Sequence, residues 1–93
     1  MREIRRTGQF KRDYRREKSG KLGKNLDDLL RHVVALLLED KPLPRRAVDH
    51  QLTGEWKDYR DCHIRPDLVL IYRKPDDTSL ELVRLGSHSE LGL

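Results

Sequence analysis

Apolar positions along this chain follow a helical period before Pro42 and a strand-like alternation after Trp56, so the chain reads as a helical half joined to a β half. A short strand over Glu3 to Thr7 comes first. Phe10 and Tyr14 then stand at i and i+4 on a strongly charged stretch, which predicts a helix that buries one narrow stripe and exposes Arg12, Arg15 and Arg16. Ser19-Gly20-Lys21-Leu22-Gly23 breaks it, and Asn25 with Asp28 three residues later marks an N-capped start for a second helix. In that helix Leu26, Leu29, Leu30, Val33 and Leu37 recur at helical spacing, and Val34, Leu36 and Leu38 widen the stripe well beyond the ~100° of a surface helix. The second helix is therefore the main core element, with apolar surface to spare. His32 falls on its polar flank beside Asp28, Arg31 and Glu39 and reads as an exposed surface residue.

Pro42 and Pro44 end the helical half, and a loop from Leu43 to about Trp56 carries Asp49-His50-Gln51-Leu52-Thr53-Gly54. Tyr59 to Ile64, a sharp Arg65-Pro66-Asp67 connection and the unbroken apolar run Leu68-Val69-Leu70-Ile71-Tyr72 predict a hairpin whose second strand is buried on both faces. Pro75 to Thr78 turns the chain into a last strand, Leu80 to Leu85, which ends at Gly86-Ser87-His88. The predicted fold is α+β, in the order β-α-α-β-β-β. It has a single antiparallel sheet with the two N-terminal helices on one face.

Composition narrows this further. The 93 residues make one small domain, 1–93, and 35% hydrophobic against 39% charged residues predicts a thin, one-sided core. No run approaches the roughly 18 apolar residues of a membrane span, and Met1 to Arg6 lacks the apolar segment of a signal peptide, so a soluble cytoplasmic protein is expected. The single cysteine, Cys62, excludes an internal disulfide and multi-cysteine zinc patterns, and it reads as a small strand residue rather than a catalytic thiol.

Charge is divided unevenly: residues 1–24 hold ten Lys/Arg and three acidic residues, a net +7, and the remainder is −3. Such a basic patch attracts a polyanion by counterion release, which points to nucleic acid, although a solvated helix face or an acidic protein partner would also account for it.

Candidate chemistry lies in the β half. Asp61 and His63 alternate onto one side of their strand, about 6.5–7 Å apart at the α-carbons, with Cys62 and Ile64 facing the other way. The hairpin returns Asp67 beside them. If the last strand pairs antiparallel to the Leu68–Tyr72 strand, Ser87 and His88 arrive at the same sheet end, and His50 enters from the preceding loop. Imidazoles beside carboxylates suit acid–base catalysis without a cofactor.

The stretch Asp49-His50-Gln51-Leu52-Thr53-Gly54-Glu55-Trp56-Lys57-Asp58-Tyr59-Arg60-Asp61-Cys62-His63-Ile64-Arg65-Pro66-Asp67-Leu68-Val69-Leu70-Ile71-Tyr72 resembles the D-H-x-L-x-G-x-W-x-x-Y-R-x-x-H-x-x-P-D-x-x-L-I-Y signature of the YafQ-type branch of the RelE-family toxins. Gly8 to Asp13 and Leu85 to Leu91 extend the similarity over nearly the whole chain. The resemblance implies the RelE-like fold and a metal-free mRNA endonuclease of a bacterial type II toxin–antitoxin pair that cleaves message in the ribosomal A site. It implies catalytic roles for His50, His63, Asp67 and His88, with Asp61 as an added member, in transesterification through the ribose 2′-OH. Arg84 matches a phosphate-contacting arginine of the family. Arg12, Arg15 and Arg16 are the substrate-binding candidates of the basic helix. The resemblance also implies a cognate antitoxin in a hetero-oligomeric complex, for which Val34 and Leu38 at the edge of the second helix offer a docking surface, and a ribosome–mRNA target. No cofactor and no membrane are expected.

One departure from the family stands at the end of the chain. An aromatic usually closes the family's sequence, but here His88-Ser89-Glu90-Leu91 is followed by Gly92 and Leu93, which bears on how the codon is held. Three other readings compete: a zinc or iron(II) site built from the same His and Asp residues, a ParE-like toxin that binds a protein target, and a nucleic-acid-binding module without catalysis.

Overall fold

Leu68–Arg73 is buried along nearly its whole length, and the sheet is assembled around it. The computed structural model describes residues 2–21 and 23–93. Its elements are β1 (Glu3–Arg6), α1 (Gly8–Lys18), α2 (Gly23–Leu38), β2 (His50–Gln51), β3 (Arg60–Arg65), β4 (Leu68–Arg73), β5 (Ser79–Gly86) and α3 (His88–Leu91), with 3₁₀ turns at Arg45–Ala47 and Gly54–Trp56. The five strands form one sheet in the order β1-β5-β4-β3-β2.

Fold class, both N-terminal helices and the central buried strand agree with the sequence reading, and several details differ. The sheet is mixed, because β1 pairs parallel to β5 with Glu3 opposite Ser79 and Arg6 opposite Leu82, whereas a wholly antiparallel sheet was expected. This pairing joins the two ends of the chain, where no local pattern encodes direction. The predicted loop before Trp56 contains a strand, β2, which holds His50 opposite Asp61. A four-residue helix, α3, follows β5 and opens with a capping box: Glu90 N–H donates to Ser87 Oγ at 3.1 Å and Ser87 N–H donates to Glu90 Oε1 at 2.8 Å.

Helix α2 also starts earlier than its capping signal, so Asn25 lies inside the first turn and is exposed. A tertiary contact sets this start. A Cβ on Gly23 would sit 1.9 Å from the Lys18 carbonyl oxygen, so only glycine lets α2 leave so close to the end of α1. Leu22, within the breaker segment, lies outside the described residues.

The core is not one-sided. Leu68, Leu70 and Tyr72 face the helices, where they join Phe10, Leu26, Leu30, Val34, Leu37, Leu80, Leu82 and Leu85. Val69 and Ile71 face the other way and form a smaller cluster with Val83 and Leu91, flanked by Leu52, Trp56 and Tyr59. The stripe on α2 is largely consumed: Val34, expected at an exposed edge, is buried, and Leu38 is half-buried against the core.

Helix α1 completes the edge of β5. Pairing with β1 stops at Leu82, and the backbone groups beyond it would be left open. Thr7 N–H donates to Leu82 O at 3.1 Å and Thr7 Oγ1 to Val83 O at 2.8 Å. Asp13 accepts from Leu85 N–H at 3.0 Å, and Arg16 donates to Leu85 O at 3.0 Å. Thr7 at the helix cap and side chains of α1 thus stand where a continuation of β1 would otherwise be needed. Asp13 is fully buried at 0% exposure.

Candidate active site

Strand register gathers the His/Asp set into two adjacent rows on the sheet face opposite α1 and α2. In one row His50 of β2 pairs with Asp61 of β3, Asp61 with Ile71 of β4, and Ile71 with Arg84 of β5. In the next, His63 pairs with Val69 and Val69 with Gly86. Ile64, left unpaired by a bulge between His63 and Arg65, lies with Cys62 in the helical-side core, and a second bulge at Val83 sets both Val83 and Arg84 opposite Ile71. Cys62 faces the helices at 0% exposure, with burial pushing its thiol up, so it stands outside the site.

His50 Nδ1 lies 2.8 Å from the Val48 carbonyl oxygen and 3.0 Å from Asp61 Oδ1. Both neighbours are acceptors, so Nδ1 carries the ring hydrogen and Nε2 keeps its lone pair. The N–H is directed at Val48. Asp61 Oδ1 is within ion-pair distance but off the hydrogen-bond direction, and it is a buried oxygen without a hydrogen-bond partner among the described residues. Burial raises the Asp61 pKa, opposed by the charges of His50, His63 and His88, so all three imidazoles act on this one carboxylate.

Val48 makes the His50 contact from a left-handed backbone conformation, φ 47° and ψ 48°, which costs a β-branched residue about 1–2 kcal/mol. The following residue holds the turn in place, since Asp49 accepts from Tyr72 Oη at 2.6 Å and Arg60 Nε at 3.3 Å. Asp49 is therefore an anchor for the segment carrying His50.

At the other end, Asp67 Oδ1 accepts from His88 N–H at 3.2 Å and lies 2.9 Å from His88 Nδ1. His88 again carries its hydrogen on Nδ1 and presents Nε2 outward. The His88 side chain, followed by its backbone N–H, holds the Asp67 carboxyl below the usual carboxylate range. His63 and His88 meet edge to face, 5.1 Å between ring centroids. Among the described residues, no three His, Cys, Asp or Glu side chains converge as a metal-holding group.

The arginine candidates separate. Arg84 Nε donates to Asp13 Oδ2 at 2.7 Å and Nη2 to Asp13 Oδ1 at 3.3 Å, with Nη1 unpaired among the described residues. Burial raises the Asp13 pKa, but Arg84, the Leu85 N–H and Arg16 outweigh it and bring the carboxyl below its ordinary value. Arg12 and Arg15 are exposed on α1. Arg16 is exposed as expected, yet its guanidinium reaches Asp13 at 3.1 Å, Glu17 at 2.9 Å, Glu90 at 3.0 Å and the Leu85 carbonyl. It clamps α3 to α1 and so braces the helix that starts at His88. Gly86 fits that clamp, since a Cβ there would lie 2.8 Å from Arg16 Nη2.

The profile of the family described as bacterial toxin of type II toxin–antitoxin system, YafQ, matches residues 2–92. The chain belongs to this YafQ toxin family. The mRNA interferase toxin YafQ of Escherichia coli K12 is 38% identical over 91 residues, covering 98% of this chain and 96% of its own. A Haemophilus influenzae relative is 50% identical over 60 residues, 61% of this chain and 59% of its own. The DinJ–YafQ complex from E. coli contains a chain that superposes with a TM-score of 0.78 at 34% identity, covering 98% of both chains. A metal-bound toxin from Helicobacter pylori superposes with a TM-score of 0.81 at 40% identity, covering 98% of this chain and 99% of its own.

Three features of this YafQ-family chain escaped the sequence reading. Asp13 stands at i+3 from Phe10, on the buried stripe of a helix whose other charges are mostly basic, and that position was the available signal. Ser87 and Glu90 have the S-x-x-E spacing of a capping box, which announces α3. Nothing in the sequence announces the left-handed turn at Val48.

Proposed function

We propose that this chain is the toxin of a bacterial type II toxin–antitoxin pair, an mRNA endoribonuclease that works on the ribosome and cleaves through the ribose 2′-OH without a metal ion. One observation carries the reading: His50 and His88 each tie Nδ1 to an acceptor and leave Nε2 free, at opposite ends of one His/Asp cluster. The family relationship supplies the substrate class and the partner, a cognate antitoxin in a hetero-oligomeric complex.

In this mechanism His50 Nε2 takes the 2′-OH proton. The imidazolium that results gains Asp61, 3.0 Å from Nδ1, as its counterion, which gives the unpartnered buried oxygen its purpose. The 2′-oxygen attacks phosphorus and forms a 2′,3′-cyclic phosphate as the bond to the 5′-oxygen breaks. His88, protonated, donates its Nε2 proton to that leaving oxygen. Asp67 is held ionised by His88, so it serves as the counterion of the acid rather than as the acid itself. His63, edge-on to His88, contacts the phosphate from between them. Arg84 offers Nη1 to the charge that builds on the phosphorane, with Asp13 fixing its plane. Arg12 and Arg15 supply general RNA attraction from α1.

A purified translation system loaded with a defined message tests this. Cleavage is expected within the A-site codon. His50→Ala and His88→Ala should each lower its rate by ~10²–10⁴-fold in folded protein. Full activity in both variants would remove the assignment.

A further inference from the structure

Outside the basic N-terminal quarter, two arginines that form no ion pair among the described residues stand in the segments that carry His50 and His63. Arg46 belongs to the 3₁₀ turn just before Val48, and Arg65 closes β3 two residues after His63. Neither faces a carboxylate within ion-pair distance among the described residues. Both are exposed. They stand on the rim of one groove of about 650 Å³ between α2 and the end of the hairpin. Its floor is apolar, with Val33, Leu36 and Pro44 among its lining, and His63 of the catalytic cluster forms part of its wall. The acidic residue at its far end, Asp28, is already paired with Arg31 at 2.9 Å.

We infer that this groove is a nucleotide subsite, in which Arg46 and Arg65 hold phosphates of the message strand and the apolar floor receives a base next to the scissile position. The inference rests on the RNA-cleaving reading above and adds to it the path of the strand. Three observations meet here. The groove lies on the helical side of the hairpin edge and borders the cluster at His63, its rim carries two unpaired cations, and its floor offers the dry surface that a splayed base requires. RNA phosphates could equally come from the ribosome. The shared His63 border favours the message.

The test uses a short single-stranded RNA that carries a 2′-O-methyl group at the scissile nucleotide, so that it binds without being cut. Its affinity is followed by fluorescence anisotropy against salt, for the wild-type chain, for Arg46→Ala/Arg65→Ala, and for Arg5→Ala on the opposite sheet edge. Single-strand binding loses roughly 0.7 from the log–log salt slope per phosphate contact removed, so the double variant should flatten the slope by about 1.4 while Arg5→Ala leaves it near the wild-type value. Removing the base beside the scissile position should weaken wild-type binding. An unchanged slope in the double variant, or a loss per arginine equal to that of Arg5→Ala, would overturn the subsite. So would an effect that appears only with programmed ribosomes, which would assign the arginines to ribosomal RNA. In each case, wild-type cleavage of unmodified message in the translation system would leave the enzymatic reading standing. A wild-type chain that cleaves no message would instead sink that reading.

Discussion

Two aspartates are buried in this small protein, and their surroundings are opposite. Asp13, at 0% exposure, receives hydrogen bonds from Arg84, from the Leu85 N–H and from Arg16. Asp61, at 3%, has an oxygen with no hydrogen-bond partner among the described residues and three histidines around it. A saturated buried carboxylate is a structural fastener. An unsaturated one is kept at a cost to the fold, and the cost makes sense only where a positive charge will arrive. On the proposed function, the contrast assigns stability to the α1 side of β5 and chemistry to the row that runs from His50 to Arg84.

The largest effect expected from breaking this contrast is on Asp13. Asp13→Ala leaves the Arg84 guanidinium, the Leu85 N–H and one arm of Arg16 without their acceptor. Unfolding in urea should show a loss of about 3–5 kcal/mol. Its acid dependence has a definite sign. The folded pKa is lowered, so the contribution is complete above the unfolded value of about 3.9 and is lost as pH falls through the folded value. A loss below about 1 kcal/mol in the variant would mean that Asp13 is not the fastener described.

Asp61→Asn should act in the opposite direction on stability. Its folded pKa is raised, so the ionised carboxylate opposes the fold at neutral pH, and that opposition is relieved as pH falls through the folded value. The neutral amide should raise stability by about 1 kcal/mol, or roughly 4–8 °C in Tm for a domain of this size, while lowering cleavage. A variant both less stable and fully active would erase the distinction between the two aspartates.

How far the sequence discloses this contrast depends on which kind of interaction is asked about. Periodicity discloses α1, α2, β4 and the alternation that turns Asp61 and His63 to one side, because each is a local pattern. The parallel pairing of β1 with β5 and the capture of Asp13 by Arg84 unite opposite ends of the chain and have no local signature. That His50, His63, Asp67 and His88 come together was legible from strand order. Their proton positions depend on a carbonyl turned by Val48 and on an edge-strand pairing two residues long, which only the folded chain displays.

The smallest effect concerns that turn. Val48→Gly relieves about 1–2 kcal/mol of left-handed strain and adds roughly 0.5–1 kcal/mol of unfolded-chain entropy. A net gain of roughly 0–1.5 kcal/mol should appear in urea unfolding. Destabilisation would mean that the exposed Val48 side chain holds the turn by a contact, rather than tolerating the turn's geometry.

The central claim, acid–base cleavage by His50 and His88 through the 2′-OH, is tested most directly by a message substituted at one atom. With transition metals chelated and Mg²⁺ retained for ribosome integrity, the unmodified message should yield a 5′-OH downstream fragment and a 2′,3′-cyclic or 3′-phosphate upstream. The same message with a 2′-deoxy or 2′-O-methyl scissile nucleotide should remain intact. Cutting of the substituted message, or a 5′-phosphate on the downstream fragment, would contradict it.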